Sequence, residues 1–156
     1  MRRRPTSTLG WILRGAAAGA AGTTALDVVT YLDMAVRGRP ASSTPQRTVE
    51  RLAGTAHLSI PGEGDRRASR VEGLGALTGL VAGVGVGGLF GLARALGFRA
   101  GTLLTTATVL VSTNGPMTVL GVTDPRTWSR TDWVSDLVPH LAYGVVVTRT
   151  MDALDP

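Results

Sequence analysis

The sequence predicts an all-α fold: an integral membrane bundle of four helices with glycine-zipper packing and one short amphipathic interfacial helix. Three features carry that prediction. The first is a run of five glycines at four-residue spacing, Gly75, Gly79, Gly83, Gly87 and Gly91. On a helix they form one narrow stripe, along which a second backbone can approach closely. In water, each would weaken a helix by about 1 kcal/mol relative to alanine. In hydrocarbon an unpaired backbone amide is so unfavourable that the segment stays helical anyway. The second feature is residues 74–93, twenty positions without a charge, and the third is residues 100–122, twenty-three positions without one. Both satisfy the need for about twenty apolar residues across ~30 Å of hydrocarbon.

The first span is expected over residues 9–34. It carries Gly15, Gly19, Thr23 and Asp27 on one face, and Arg14 near its start, where a long side chain can snorkel to the interface. Trp11 and Tyr31 stand twenty residues apart, about 30 Å of helix, and suit the two interfaces. Arg2, Arg3 and Arg4 followed by Ala18-Gly19-Ala20 imitate a signal peptide. The apolar run before Arg14 is too short for one, so a retained helix is expected.

An interfacial helix is expected over residues 44–58. Thr44 reads as its N-cap and Pro45 as its first helical residue. Val49, Leu52, Ala53 and Ala56 share one face, which rests on the headgroup boundary or on the bundle. Residues 61–65 read as a turn. The second span is expected over residues 71–93 and the third over 100–122. Only residues 96–99 separate their apolar cores, which makes a tight antiparallel hairpin. Asn114-Gly115-Pro116 should break the third helix's hydrogen-bond ladder. The fourth span, over residues 133–151, carries Asp136, Pro139 and His140.

All 156 residues then form a single membrane domain, residues 1–156. The absence of cysteine excludes disulfides, thiolate metal sites and thiol catalysis. The formal charge of +5 comes from sixteen basic residues, all arginine. They stand at the ends of apolar stretches and in one polar loop, which suits anionic headgroups. Without interleaved aromatic residues they give no nucleic-acid surface.

The antiparallel order defines two faces. Face A holds the N-terminus, the turn at 96–99 and the C-terminus; face B holds the two other loops. Six arginines fall at face A and nine at face B. The count favours face B in the cytoplasm, while the N-terminal cluster favours face A. Asp27, Asn114, Asp136 and His140 all fall in the face B half, and a shared polar pocket is expected there. Asp136 and His140, four residues apart, share a helix face. Ionised groups at such depth are unfavourable and mark a function or a partner. The neighbouring hydroxyl residues, Thr102, Thr105, Thr106, Thr108, Ser112 and Thr113, serve equally as packing contacts between helices. With His57 and His140 the only histidines, no metal site is expected. No nucleophile elbow or phosphate loop is present, and neither a catalytic residue nor a cofactor is expected.

Residues 115–125, from Gly115-Pro116 through Gly121 and Thr123 to Pro125, then residues 132–141, resemble the C-terminal part of the YagU-like bacterial inner-membrane proteins. Pro116, Gly121, Thr123, Trp133, Asp136 and His140 match that pattern, Asp136 standing where the family has glutamate. The resemblance implies a multi-pass protein of the bacterial inner membrane and supports the Asp136/His140 pair. It implies no reaction. The expected function is to bind or conduct a proton, an ion or a small polar solute, with His140 the group titrating near neutral pH. The alternative is a structural or assembly subunit whose glycine stripe docks on a partner span or a second copy. Lipid is the expected partner in either case.

Overall fold

The computed structural model describes residues 7–155, so Arg2, Arg3 and Arg4 lie outside the described residues. Within them the chain is all helical, with no strand. The order is α1 (Thr8–Arg37), α2 (Thr44–Thr55), α3 (Gly64–Ala95), α4 (Thr102–Val119), a single 3-10 turn (Pro125–Thr127) and α5 (Arg130–Ala153). α1 lies between α3 and α5, α2 rests on α3, and α4 packs mainly on α5.

Capping chemistry sets the boundaries. Ser7 accepts from the Gly10 amide to open α1, and Gly38 closes it at φ 64°. α5 opens with a capping box, in which Ser129 and Asp132 each bond the other's backbone. α4 stops at Val119, before the expected 122. The Val122 amide donates to Met117 and the Gly121 amide to Thr118, with Gly121 at φ 65°. This is a Schellman end, which needs a left-handed residue just past the helix. α2 ends the same way at Thr55 rather than 58, with His57 as the left-handed residue at φ 56°. Its N-cap is Ser43, not Thr44. α3 begins a full turn and more before the expected residue 71. Both Pro116 and Pro139 sit inside continuous helices, each removing one ladder hydrogen bond without ending its helix.

Among the described residues, α3 alone is long and apolar enough to cross a membrane. α1, α4 and α5 dilute their apolar residues with glycine, alanine, threonine and charged groups. The four spans expected from sequence therefore reduce, on length and composition, to one.

The core is small: Ala18, Val86, Val109, Tyr143, Val147 and Met151, with Trp11, Leu26 and Phe90 packed against it. Large apolar side chains instead point outward from every long helix. Leu9 is 64% exposed, Val81 70%, Leu103 81% and Val134 58%. Beside these few apolar residues the interior holds glycine, threonine and His140.

Glycine brings α1 and α3 together backbone to backbone. A Cβ at Gly19 would stand 2.6 Å from the Gly83 carbonyl oxygen, and one at Gly87 would stand 2.5 Å from the Gly19 Cα. Gly15 and Gly91 are equally closed, by Gly87 and by Trp11. The other two members of the expected stripe do not join this seam. Gly75 faces Pro45 of α2, 3.1 Å from where its Cβ would be, and Gly79 faces open space.

Candidate functional site

The antiparallel pairing of α4 with α5 sets four polar side chains in a row. Thr102 meets Thr148 at 3.4 Å near face A. Thr106 Oγ1 lies against Gly144, which has no side chain to keep it away. Nearer face B, His140 Nε2 lies 3.1 Å from Thr113 Oγ1, and Asn114 Nδ2 donates to Asp136 Oδ2 at 2.8 Å. Because 136 and 140 are one turn apart, the two α5 groups also touch each other. His140 Nδ1 lies 2.7 Å from the Asp136 carbonyl oxygen and 3.6 Å from its Oδ1.

The network is enclosed but reachable. The His140 side chain is 10% exposed and that of Asp136 22%. Thr113 Oγ1 also lies 2.9 Å from the Val109 carbonyl oxygen of its own helix. Thr113, Asn114, Asp136 and His140 are thus joined by hydrogen bonds, whereas the buried Thr106 hydroxyl against Gly144 has no partner. A groove of about 520 Å³ lies elsewhere, between α2 and α3. It is apolar, lined by Val49, Leu58, Ile60, Leu74 and Leu77.

The structure joins Asn114, Asp136 and His140, and leaves Asp27 apart from them. Asp27 continues the face of Thr23, whose hydroxyl lies against Gly83 of α3. Asp136 and His140 meet α4. Asp27 makes no hydrogen bond or ion pair with the other three. Thr113 takes the place expected for it.

Sequence reasoning passed over a second polar group at the same end. Asp33 is bonded by Arg37 at 3.1 Å and by Arg39 Nε at 2.5 Å, and Arg37 donates to Ser135 Oγ at 2.7 Å. The four-residue spacing of Asp33 and Arg37 was the available signal. Ser135 neighbours Asp136 in the chain but faces α1, so the two groups meet α5 from opposite sides. At the start of α5, the Ser129 hydroxyl and amide hold the Asp132 carboxyl below the usual carboxylate range.

Tyr143 was also passed over. It is fully buried, and its hydroxyl donates to the Gly83 carbonyl at 2.6 Å, tying α5 to the α1/α3 seam. Face A carries a different cluster. Arg94 donates to Asp152 at 2.9 Å and to Asp155 at 2.6 Å, and Arg99 donates to Asp155 at 2.7 Å. Trp11 lies beneath the guanidinium groups of Arg14 and Arg94, at 5.2 and 5.8 Å. Among the described residues, no group of three or more His, Cys, Asp or Glu could hold a metal ion.

Compared with protein-family models, curated proteins and solved structures, the chain matches none.

Proposed function

We propose that this chain is a multi-pass membrane protein whose α4/α5 network binds and passes a proton, an ion or a small polar solute near face B. One observation carries the reading: large apolar side chains cover the outside of all four long helices, while the interior holds the hydroxyls, His140 and the Asp136–Asn114 pair. Contiguous exposed apolar surface on this scale needs a cover, and lipid covers four helices at once. In that setting a carboxylate beside an imidazole is unfavourable unless it serves a ligand. The likeness of residues 115–141 to the YagU-like proteins points to the bacterial inner membrane. We assign no enzymatic activity.

The test is flux through liposomes containing the purified protein. The wild type is expected to dissipate an imposed proton or cation gradient, and Asp136→Ala and His140→Ala to suppress that leak. A wild-type leak that both variants leave unchanged removes the role. The second reading is an assembly subunit, favoured by Gly79 and Gly85 of α3, which face open space where another span could lie close. On that reading Gly85→Leu abolishes co-purification of a partner, and flux stays at background throughout.

A further inference from the structure

We infer that the ligand of the α4/α5 network is a proton, held on the His140 ring, with the Thr113 hydroxyl turning to match the ring's charge. The inference narrows the function proposed above and rests on the membrane placement of α4 and α5.

Counting hydrogens leads to it. His140 Nδ1 lies 2.7 Å from the backbone carbonyl oxygen of Asp136. A carbonyl only accepts, so Nδ1 carries a hydrogen whatever the ring's charge. The neutral ring is thereby fixed as the Nδ1–H tautomer, with its lone pair on Nε2. That lone pair meets Thr113 Oγ1 at 3.1 Å. Thr113 has one hydroxyl hydrogen and three acceptors within reach, Nε2 and the carbonyl oxygens of Val109 at 2.9 Å and Leu110 at 3.2 Å. When the ring is neutral, the hydroxyl donates to Nε2. When a proton adds to the Nε2 lone pair, the new N–H donates to Thr113 Oγ1, and the hydroxyl hydrogen turns to Val109. The proton comes from a hydronium ion, whose O–H bond breaks as the Nε2–H bond forms; no bond of the protein breaks, and release to water reverses both movements. Each hydrogen has an acceptor in both states.

The surrounding charges fit a single added positive charge. Asp136 Oδ1 lies 3.6 Å from Nδ1, and its Oδ2 is held by Asn114. α4 contributes only the neutral Thr113 and Asn114 to the ring's surroundings. On α1, Asp33, Arg37 and Arg39 pair with one another and approach α5 through Ser135. Asp27 lies level with the ring, because Gly22 packs on Tyr143 and Val147 and the helices run antiparallel. A metal ion fits poorly. It needs a nitrogen lone pair and further ligands, but Nδ1 carries hydrogen and no other histidine or cluster of carboxylates converges on Nε2.

The chain has two histidines, so His57→Gln leaves His140 as the single ring for 15N-histidine labelling. In liposomes, solid-state NMR is expected to show the neutral ring with hydrogen on Nδ1 and the acid form with hydrogen on both nitrogens. Thr113→Val should move the Nε2 resonance of the neutral ring, and Thr113→Ser should restore it. Proton flux should fall about tenfold in Thr113→Val, the worth of one hydrogen bond to a charged group, and stay near wild type in Thr113→Ser. A neutral ring with its hydrogen on Nε2 overturns the inference even if the vesicles leak. Sodium or potassium flux without proton flux overturns the proton as ligand and keeps the conducting role. No flux of any kind overturns the conducting role, and the ring spectrum then decides proton binding by itself.

Discussion

The α1/α3 seam and the α4/α5 seam both join antiparallel helices, and they do so with opposite materials. In the first, Gly15, Gly19, Gly87 and Gly91 bring backbone against backbone, and Gly83 makes room for the Thr23 hydroxyl. In the second, Thr102, Thr106, Thr113 and Asn114 face Thr148, Gly144, His140 and Asp136. The glycine seam gains dispersion contacts over a large matched surface and holds no group that can change state. The polar seam has donors and acceptors with alternative partners. Tyr143 links the two, reaching from α5 to the Gly83 carbonyl. The molecule thus separates a rigid joint from an exchangeable one within one set of packed helices.

The sharpest way to break this contrast is to put a side chain into the rigid joint. Gly87→Leu would drive its branches into Gly15 and Gly19, where only backbone stands and nothing can rotate away. Overpacking alone is worth about 3 kcal/mol or more at such a site, so folded protein should no longer accumulate in detergent. Gly85, two residues away, faces open space. Gly85→Ala should leave thermal stability equal or higher, by at most about 1 kcal/mol from helix propensity. Equal melting temperatures for the two variants would show that the glycine seam does not hold the fold.

Tyr143→Phe has a smaller effect, and it tests whether the two seams are coupled. It keeps the ring in the core and deletes one buried hydrogen bond, worth about 1 kcal/mol. Thermal unfolding should shift down modestly, without loss of the folded state. No shift at all would mean that the seams stabilise independently.

Periodicity alone located the rigid joint. A stripe with period four names a helix face, and Gly15 and Gly19 on the first helix supplied its complement. Periodicity could not foresee that α2 would wedge Pro45 onto Gly75 and that Gly79 would be left open. Those outcomes depend on where α2 lands, a tertiary fact. In the polar seam, Asp136 and His140 were legible because four-residue spacing fixes their shared face, and Asn114 because the hairpin order puts it at the same depth. Depth was also the reason for including Asp27, and depth was insufficient. Asp27 shares that depth but none of the hydrogen bonds that join Asn114, Asp136 and His140, because depth leaves helix azimuth open. The early end of α4 was written in Gly121, whereas the end of α2 rests on His57, a residue type that gives little warning of a left-handed backbone.

The smallest effect sharpens the contrast at face A, where charges are paired rather than exchangeable. Arg94, with only 7% of its side chain exposed, donates to Asp155 and holds its carboxyl below the usual carboxylate range, with Arg99 adding to the effect. A carboxylate whose folded pKa is lowered stabilises the fold fully above its unfolded value of about 3.9. That contribution disappears as pH falls through the lowered folded value. Melting temperature in detergent should therefore be flat with respect to this pair from pH 7 to about 5 and fall in stronger acid. Asp155→Asn should be less stable than wild type at pH 7 and should lose less on acidification, because its side chain has no proton to take up. Asp124 and Asp132, also held low by their own partners, keep part of the acid sensitivity in that variant. If Asp155→Asn falls with acid as steeply as wild type, the Arg94 cluster contributes nothing to the pH dependence, and face A is no more a fixed clasp than the polar seam.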